Sequence, residues 1–276
     1  MRNTWAVCKR EFIGYFITPI GYVFTGMFAL VSGLAFASSF LFFAVVTQGP
    51  TKYGYTGIPK FEETLLSPFL VFCGMLIMFI GPLLTMRLLA EERNRGTMEL
   101  LLTYPLRTSE ILFGKYLAAL GLLLPVIAVI SVHLSIMAYF VPVEPVILIF
   151  GLFAVVLMGM AFISMGLFVS AIARNQITAG TMTFGIWFVS YVLGSLGKDL
   201  PQKIPAPETW SAPVKATLGF VYSIFRQFIQ ELPIDAHAAE MAKGVVDPRD
   251  VVYYVLFTAF FLFLTFQALE TRKWRA

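Results

Sequence analysis

Six long runs of this chain carry almost no charge, at about 20–46, 64–86, 111–140, 146–172, 177–196 and 251–269. A helix needs roughly 20 apolar residues to cross a hydrocarbon core about 30 Å thick, and each run is near that length or beyond it. Lipid offers no partner to a backbone N–H or C=O, so a spanning run must close its hydrogen bonds internally, as a helix does. The expected fold class is all-α integral membrane, a single transmembrane domain over 1–276. Composition agrees: 58% of the residues are hydrophobic and 13% are charged, where a soluble domain carries about 25% charged residues.

Orientation is read from lysine and arginine. With both termini in the cytoplasm, the inside segments hold 12 basic and 6 acidic residues, and the outside holds 8 basic and 10 acidic. An even number of spans suits that arrangement. The first apolar run is longer than a signal-peptide core and follows an amphipathic segment, so it reads as a retained span.

Two segments outside the spans look amphipathic. In residues 2–16, Trp5, Cys8, Phe12 and Phe16 recur at helical spacing, with Lys9 and Arg10 on the other side. This pattern predicts a basic helix lying in the membrane interface. In residues 213–232, an apolar stripe from Val214 to Leu232 lies between Pro213 and Pro233. With Lys215, Arg226 and Glu231 in the pattern it is too polar to span alone, and it predicts a helix in the outer leaflet. A shorter helix is expected from Asp235 to Gly244.

Several chemistries are excluded. No G-x-x-x-x-G-K-[ST] loop is present, so nucleotide cannot be held by a P-loop. His133 and His237 stand in unrelated segments, and Cys8 and Cys73 lie far apart, so neither a metal site nor a disulfide is expected. Basic runs interleaved with aromatics are missing, which argues against nucleic acid. The span interiors are nearly free of ionisable groups, which weakens an ion-coupled carrier. His133 is the exception, and its expected role is a hydrogen bond between helices rather than a substrate contact.

The connection RLLAEERNRGTMELLLTYPLRTSE, residues 87–110, is unlike an ordinary membrane loop. Arg87, Glu91 and Arg95 would form a charged stripe on a helix continuing from span two. Gly96 stops that helix, Thr97 can cap a short one, and Pro105 ends it. Its leucines would either dock into a groove on a soluble partner or lie back on the membrane and neighbouring helices.

The run MRLLAEERNRGTMELLLTYPLRTSEILFGKYL resembles the signature of ABC transporter type-2 permeases. The matching positions are Glu91, Glu92, Gly96, Thr97, Glu99, Leu101, Leu102, Pro105, Gly114 and Lys115. The segments Lys9–Phe24 and Lys243–Trp274 are similar to the two ends of the gliding-motility permease subfamily, GldF-like and NosY-related. The resemblance implies that residues 97–104 form a coupling helix resting on a separate ATPase. It also implies an external re-entrant hairpin before the last span. The expected partners are that ATPase, a second permease protomer and the lipid bilayer, and the family allows an auxiliary membrane subunit with an extracytoplasmic domain. ATP and magnesium would sit on the ATPase, with no cofactor on this chain. The function implied is a permease subunit, in the exporter sense, of the bacterial inner membrane. The alternative is an ion- or proton-coupled secondary carrier without ATPase.

Overall fold

The computed structural model describes residues 2–55, 57, 59–94, 96, 106–198, 200–202, 212–235, 237–244 and 246–273. The stretch expected to form the coupling helix, with Thr97, Glu99, Leu101, Leu102 and Pro105, lies outside the described residues, as does Arg95. The described chain is helical, and six helical stretches are long and apolar enough to cross a membrane: Ile20–Gln48, Glu62–Asn94, Thr108–Phe140, Pro145–Ile172, Gln176–Lys198 and Pro248–Thr271. They are called spans one to six below.

Span four is the hub. It lies along span six and touches spans two, three and five. Small residues permit this closeness, because they let helix axes approach where lipid offers no hydrophobic drive to associate. A methyl group on Gly74 would meet the Met158 side chain at 2.5 Å, and one on Gly166 would meet Thr85 at 2.5 Å. The interface between spans two and four is therefore set by glycine on both sides.

An N-terminal helix, Arg2–Ile17, precedes span one and packs against the first half of span three. The same device applies, since a methyl on Gly114 would lie 2.7 Å from Val7 and one on Gly121 would lie 2.8 Å from Phe12. The face turned to the protein carries Val7, Cys8 and Tyr15, all buried, whereas Trp5 is 68% exposed. Phe12 is half-buried between Gly121 and Phe16, and Lys9 and Arg10 are exposed. Trp5 and Cys8 thus part company, although their spacing placed them on one stripe.

Two spans are broken where a proline or a side chain intervenes. Span three is two helices, Thr108–Gly121 and Leu123–Phe140. Pro125 has no N–H to donate, and its ring excludes the carbonyl four residues back, at Gly121. Span two does not run on as one helix into the charged stretch, as its sequence suggested. It stops at Ile80, resumes for Pro82–Thr85, opens into a turn over 86–89 and closes again for Ala90–Asn94. Pro82 accounts for the first break. The second is held open by Ser170 of span four, whose hydroxyl accepts the N–H groups of Leu89 and Ala90 at 3.0 Å each.

At the other end of the bundle, the helix Ala212–Glu231 folds back against the end of span five. The Gln230 side-chain amide donates to the Gly197 carbonyl at 2.7 Å, and the Tyr222 hydroxyl donates to the Pro201 carbonyl at 2.9 Å. Ile229 is buried there, but Phe220, Val221, Ile224, Phe225 and Phe228 remain exposed. This hairpin leaves an apolar face pointing away from the chain's own core.

His133 does not make the expected hydrogen bond. Its ring stacks on Phe36 with centroids 4.8 Å apart and meets the edge of Phe69 at 5.6 Å. Nδ1 is buried without a partner among the described residues. Aromatic faces, rather than polar groups, surround it, so the ring serves as a flat packing element.

Candidate coupling site at one end of the bundle

Lys115 lies two turns inside span three and is 2% exposed. A buried ammonium is stable only when it is paired. Its Nζ is 2.9 Å from the Glu92 carboxylate and 3.3 Å from that of Glu11. Arg10 joins the group, with a guanidinium nitrogen 2.8 Å from Glu11 and 3.9 Å from Glu92. Two cations and two anions therefore meet from three segments: the N-terminal helix, the tip of span two and the start of span three.

Glu11 and Arg10 hold each other in the ionised form. Burial alone would raise the Glu11 carboxyl, but Lys115 and Arg10 outweigh it and bring it below the ordinary glutamate range. The hydrogen bond to Glu11 raises Arg10 in turn. One turn along the N-terminal helix, burial and the neighbouring carboxylates push the Tyr15 phenol far up, so it stays neutral. Burial likewise raises the Cys8 thiol.

The tip of span two is clamped on a second side. Arg93 donates to the carbonyls of Ala171 at 2.6 Å and Ile172 at 3.3 Å, and also to Ala173. These are orphan carbonyls at the C-terminal end of span four, where a cation also meets the negative end of the helix dipole. Gly96 then ends the short helix with φ +69°, its N–H donating to the Arg93 carbonyl at 3.0 Å. A side chain at this position would be strained in the left-handed region, so glycine is the residue for the stop.

The far side of the undescribed segment is anchored as well. Glu110 accepts the Arg107 N–H at 3.0 Å, closing the first turn of span three, and takes the Asn3 side-chain amide at 3.2 Å. The Thr108 hydroxyl donates to Glu270 in the last turns of span six. Both terminal helices thus reach this same end of the bundle.

Of the residues singled out by sequence, Arg10 and Glu92 are brought into one cluster, and Gly96 stands beside it. Glu91 lies on the same short helix, half-buried. Lys9, Trp5 and Phe12 are on the N-terminal helix but outside the cluster. Glu11 and Ser170 were not singled out, and Lys115 was matched to a motif without a counter-charge. The available signal was Lys115 itself, since a cation within an apolar span demands an anion from elsewhere.

Residues 5–274 match the family model described as ABC-2 family transporter protein. The chain is 30% identical to the probable ABC transporter permease protein NosY of Pseudomonas aeruginosa over 204 residues, covering 71% of this chain and 70% of that protein. It is 29% identical to the protein of the same name from Stutzerimonas stutzeri over 186 residues, covering 60% and 67%. It is also 33% identical over 151 residues to ABC transporter G family member 20 of Dictyostelium discoideum, covering 54% of this chain and 20% of that larger protein. The matched span takes in all six apolar helices together with the clamped tip of span two, and on that basis the chain is a multi-pass membrane protein belonging to the ABC-2 family of transporter proteins.

Proposed function

We propose that this chain is the membrane-spanning subunit of an ATP-driven exporter, working beside a second permease protomer and served by a separate ATPase that carries the ATP and magnesium. The chain itself does no covalent chemistry. Its charged end would face the cytoplasm of a bacterial inner membrane, with both termini on that side. The NosY relatives support a NosY-related reading, the GldF-like assignment is part of the proposal, and it leaves room for an auxiliary membrane subunit.

The observation that carries this reading is the buried Lys115 between Glu11 and Glu92. Segment 97–105 lies in sequence between Gly96 and Arg107, and the residues on either side of it are tied to the bundle by the contacts described above. Displacement of that segment by a closing ATPase pair would therefore move the N-terminal helix and spans two, three and four together, as a rigid-body switch requires.

The test is co-purification. The chain is expressed with the products of its adjacent genes and extracted in detergent, and ATP hydrolysis is measured with and without the permease. The expected result is a stable complex whose hydrolysis responds to the permease. Transport that persists with no ATPase bound would overturn the proposal in favour of an ion- or proton-coupled carrier.

A further inference from the structure

At the end of span six opposite the charge cluster, the connection 232–247 joins the hairpin to the last span, and His237 is buried within it with 8% of its side chain exposed. Nδ1 of the ring is 2.8 Å from Asp250 Oδ1, and Nε2 is 2.9 Å from the main-chain carbonyl of Glu231. The Glu231 carboxylate is a further 3.5 Å contact to Nε2. A carbonyl oxygen only accepts, and an ionised carboxylate only accepts. A neutral imidazole has one N–H and could satisfy one of these contacts while turning a lone pair against the other.

We infer that His237 is held as an imidazolium, and that its second proton latches the hairpin to span six. The ring also lies on the face of Tyr253, with centroids 3.9 Å apart and planes 24° from parallel. An aromatic face attracts a cation, so this contact favours the charged ring. The two tyrosines fasten the same connection, as Tyr253 donates to the Leu232 carbonyl at 2.9 Å and Tyr254 to the Ile234 carbonyl at 2.6 Å.

The charges facing the ring come from each element around it. Span six supplies Asp250, with the hydroxyls of Tyr253 and Tyr254. The outer helix supplies Glu231, and the connection supplies Asp235. Burial pushes the Asp235 carboxyl up, against the pull of Lys198 from span five and of His237 itself.

The linkage has a definite sign. The latched state binds one more proton than the released state, so latching is fully present at low pH and is lost as pH rises. Release would free the connection 232–244 and, with it, the seat of the apolar outer helix on span five.

The chain contains two histidines, so a full-length sample with 15N-labelled histidine, in lipid nanodiscs, gives two pairs of ring signals. His133→Phe identifies which pair is His237. Amide hydrogen exchange of residues 232–244 is followed over the same pH series, normalised to the unstructured rate. The expected result is a ring with both nitrogens protonated while the segment is protected, and loss of the proton in step with loss of protection. The exchange step falls by at most about tenfold per pH unit, the limit for one proton, and is absent in His237→Gln. A neutral ring in the protected state overturns the inference. So does protection that ignores pH, or a pH step that survives in His237→Gln.

Discussion

Lys115 and Glu92 meet at 2.9 Å across the inside of the bundle, the lysine fully buried and the glutamate less so. The contact ties the acidic pair of span two to the Gly-Lys step of span three. Those two motif elements flank segment 97–105 in sequence, so the pair ties the residues on either side of it to each other.

Removing the cation should be costly. Lys115→Met leaves Glu11 and Glu92 facing each other with Arg10 as their remaining cation among the contacts described. Breaking a buried pair from one side costs on the order of 3 kcal/mol, the lower end being appropriate because both carboxylates keep some exposure. Thermal unfolding in detergent should show the loss. Adding Glu92→Gln to Lys115→Met should recover part of it, and a strictly additive double variant would mean the two residues do not interact.

Acid should loosen the N-terminal helix. The Glu11 carboxyl is depressed in the folded protein, so its contribution is present above the unfolded glutamate value of about 4.3 and is lost as pH falls through the lower folded value. Hydrogen exchange of residues 2–17 is the measurement. Wild-type protection should fall in that acid window, and Glu11→Gln should be weaker at neutral pH and lack the step.

Ser170→Ala removes one oxygen and orphans two main-chain donors, Leu89 and Ala90. Leaving a buried donor unsatisfied costs about 1–3 kcal/mol. Faster exchange confined to residues 86–94, with the rest of span four unchanged, is the expected signature. Uniform destabilisation of the bundle would instead point to a packing role for the serine.

The coupling segment itself is tested by combining Glu99→Ala with Leu101→Asp. The expected variant inserts normally and uncouples ATP hydrolysis from transport in the reconstituted complex. Normal transport by the double variant would assign coupling elsewhere.

Much of the fold is written in one-dimensional patterns. Apolar run length marks the six spans, Pro125 marks the break in span three, and Pro213 with Pro233 frames the outer helix. Gly96 announces its own left-handed stop. The candidate site is harder to read, because its pairing is not local: Glu11 meets Lys115 from over a hundred positions away, with no periodicity linking them. Ser170 is a small residue in an apolar span and gives no sign that two foreign amides will rest on it. Trp5 shows the limit of spacing arguments, since helical period defines a face but not which neighbour claims it. His133 drew a polar expectation from its chemistry, whereas its surroundings are phenylalanine.

The turn over 86–89 also decides where a force travels. Covalently, Ala90–Asn94 is the tip of span two, but its amides rest on Ser170 and its arginine grips the last carbonyls of span four. Above the turn, the chain is interrupted again at Gly81 and Pro82. In the proposed mechanism, a thrust on the acidic tip would not be carried up its own helix. It would pass sideways into span four and, through the long contact of span four with span six, along the axis that ends near His237. The column that would carry it is built from two helices remote in sequence from the acidic tip.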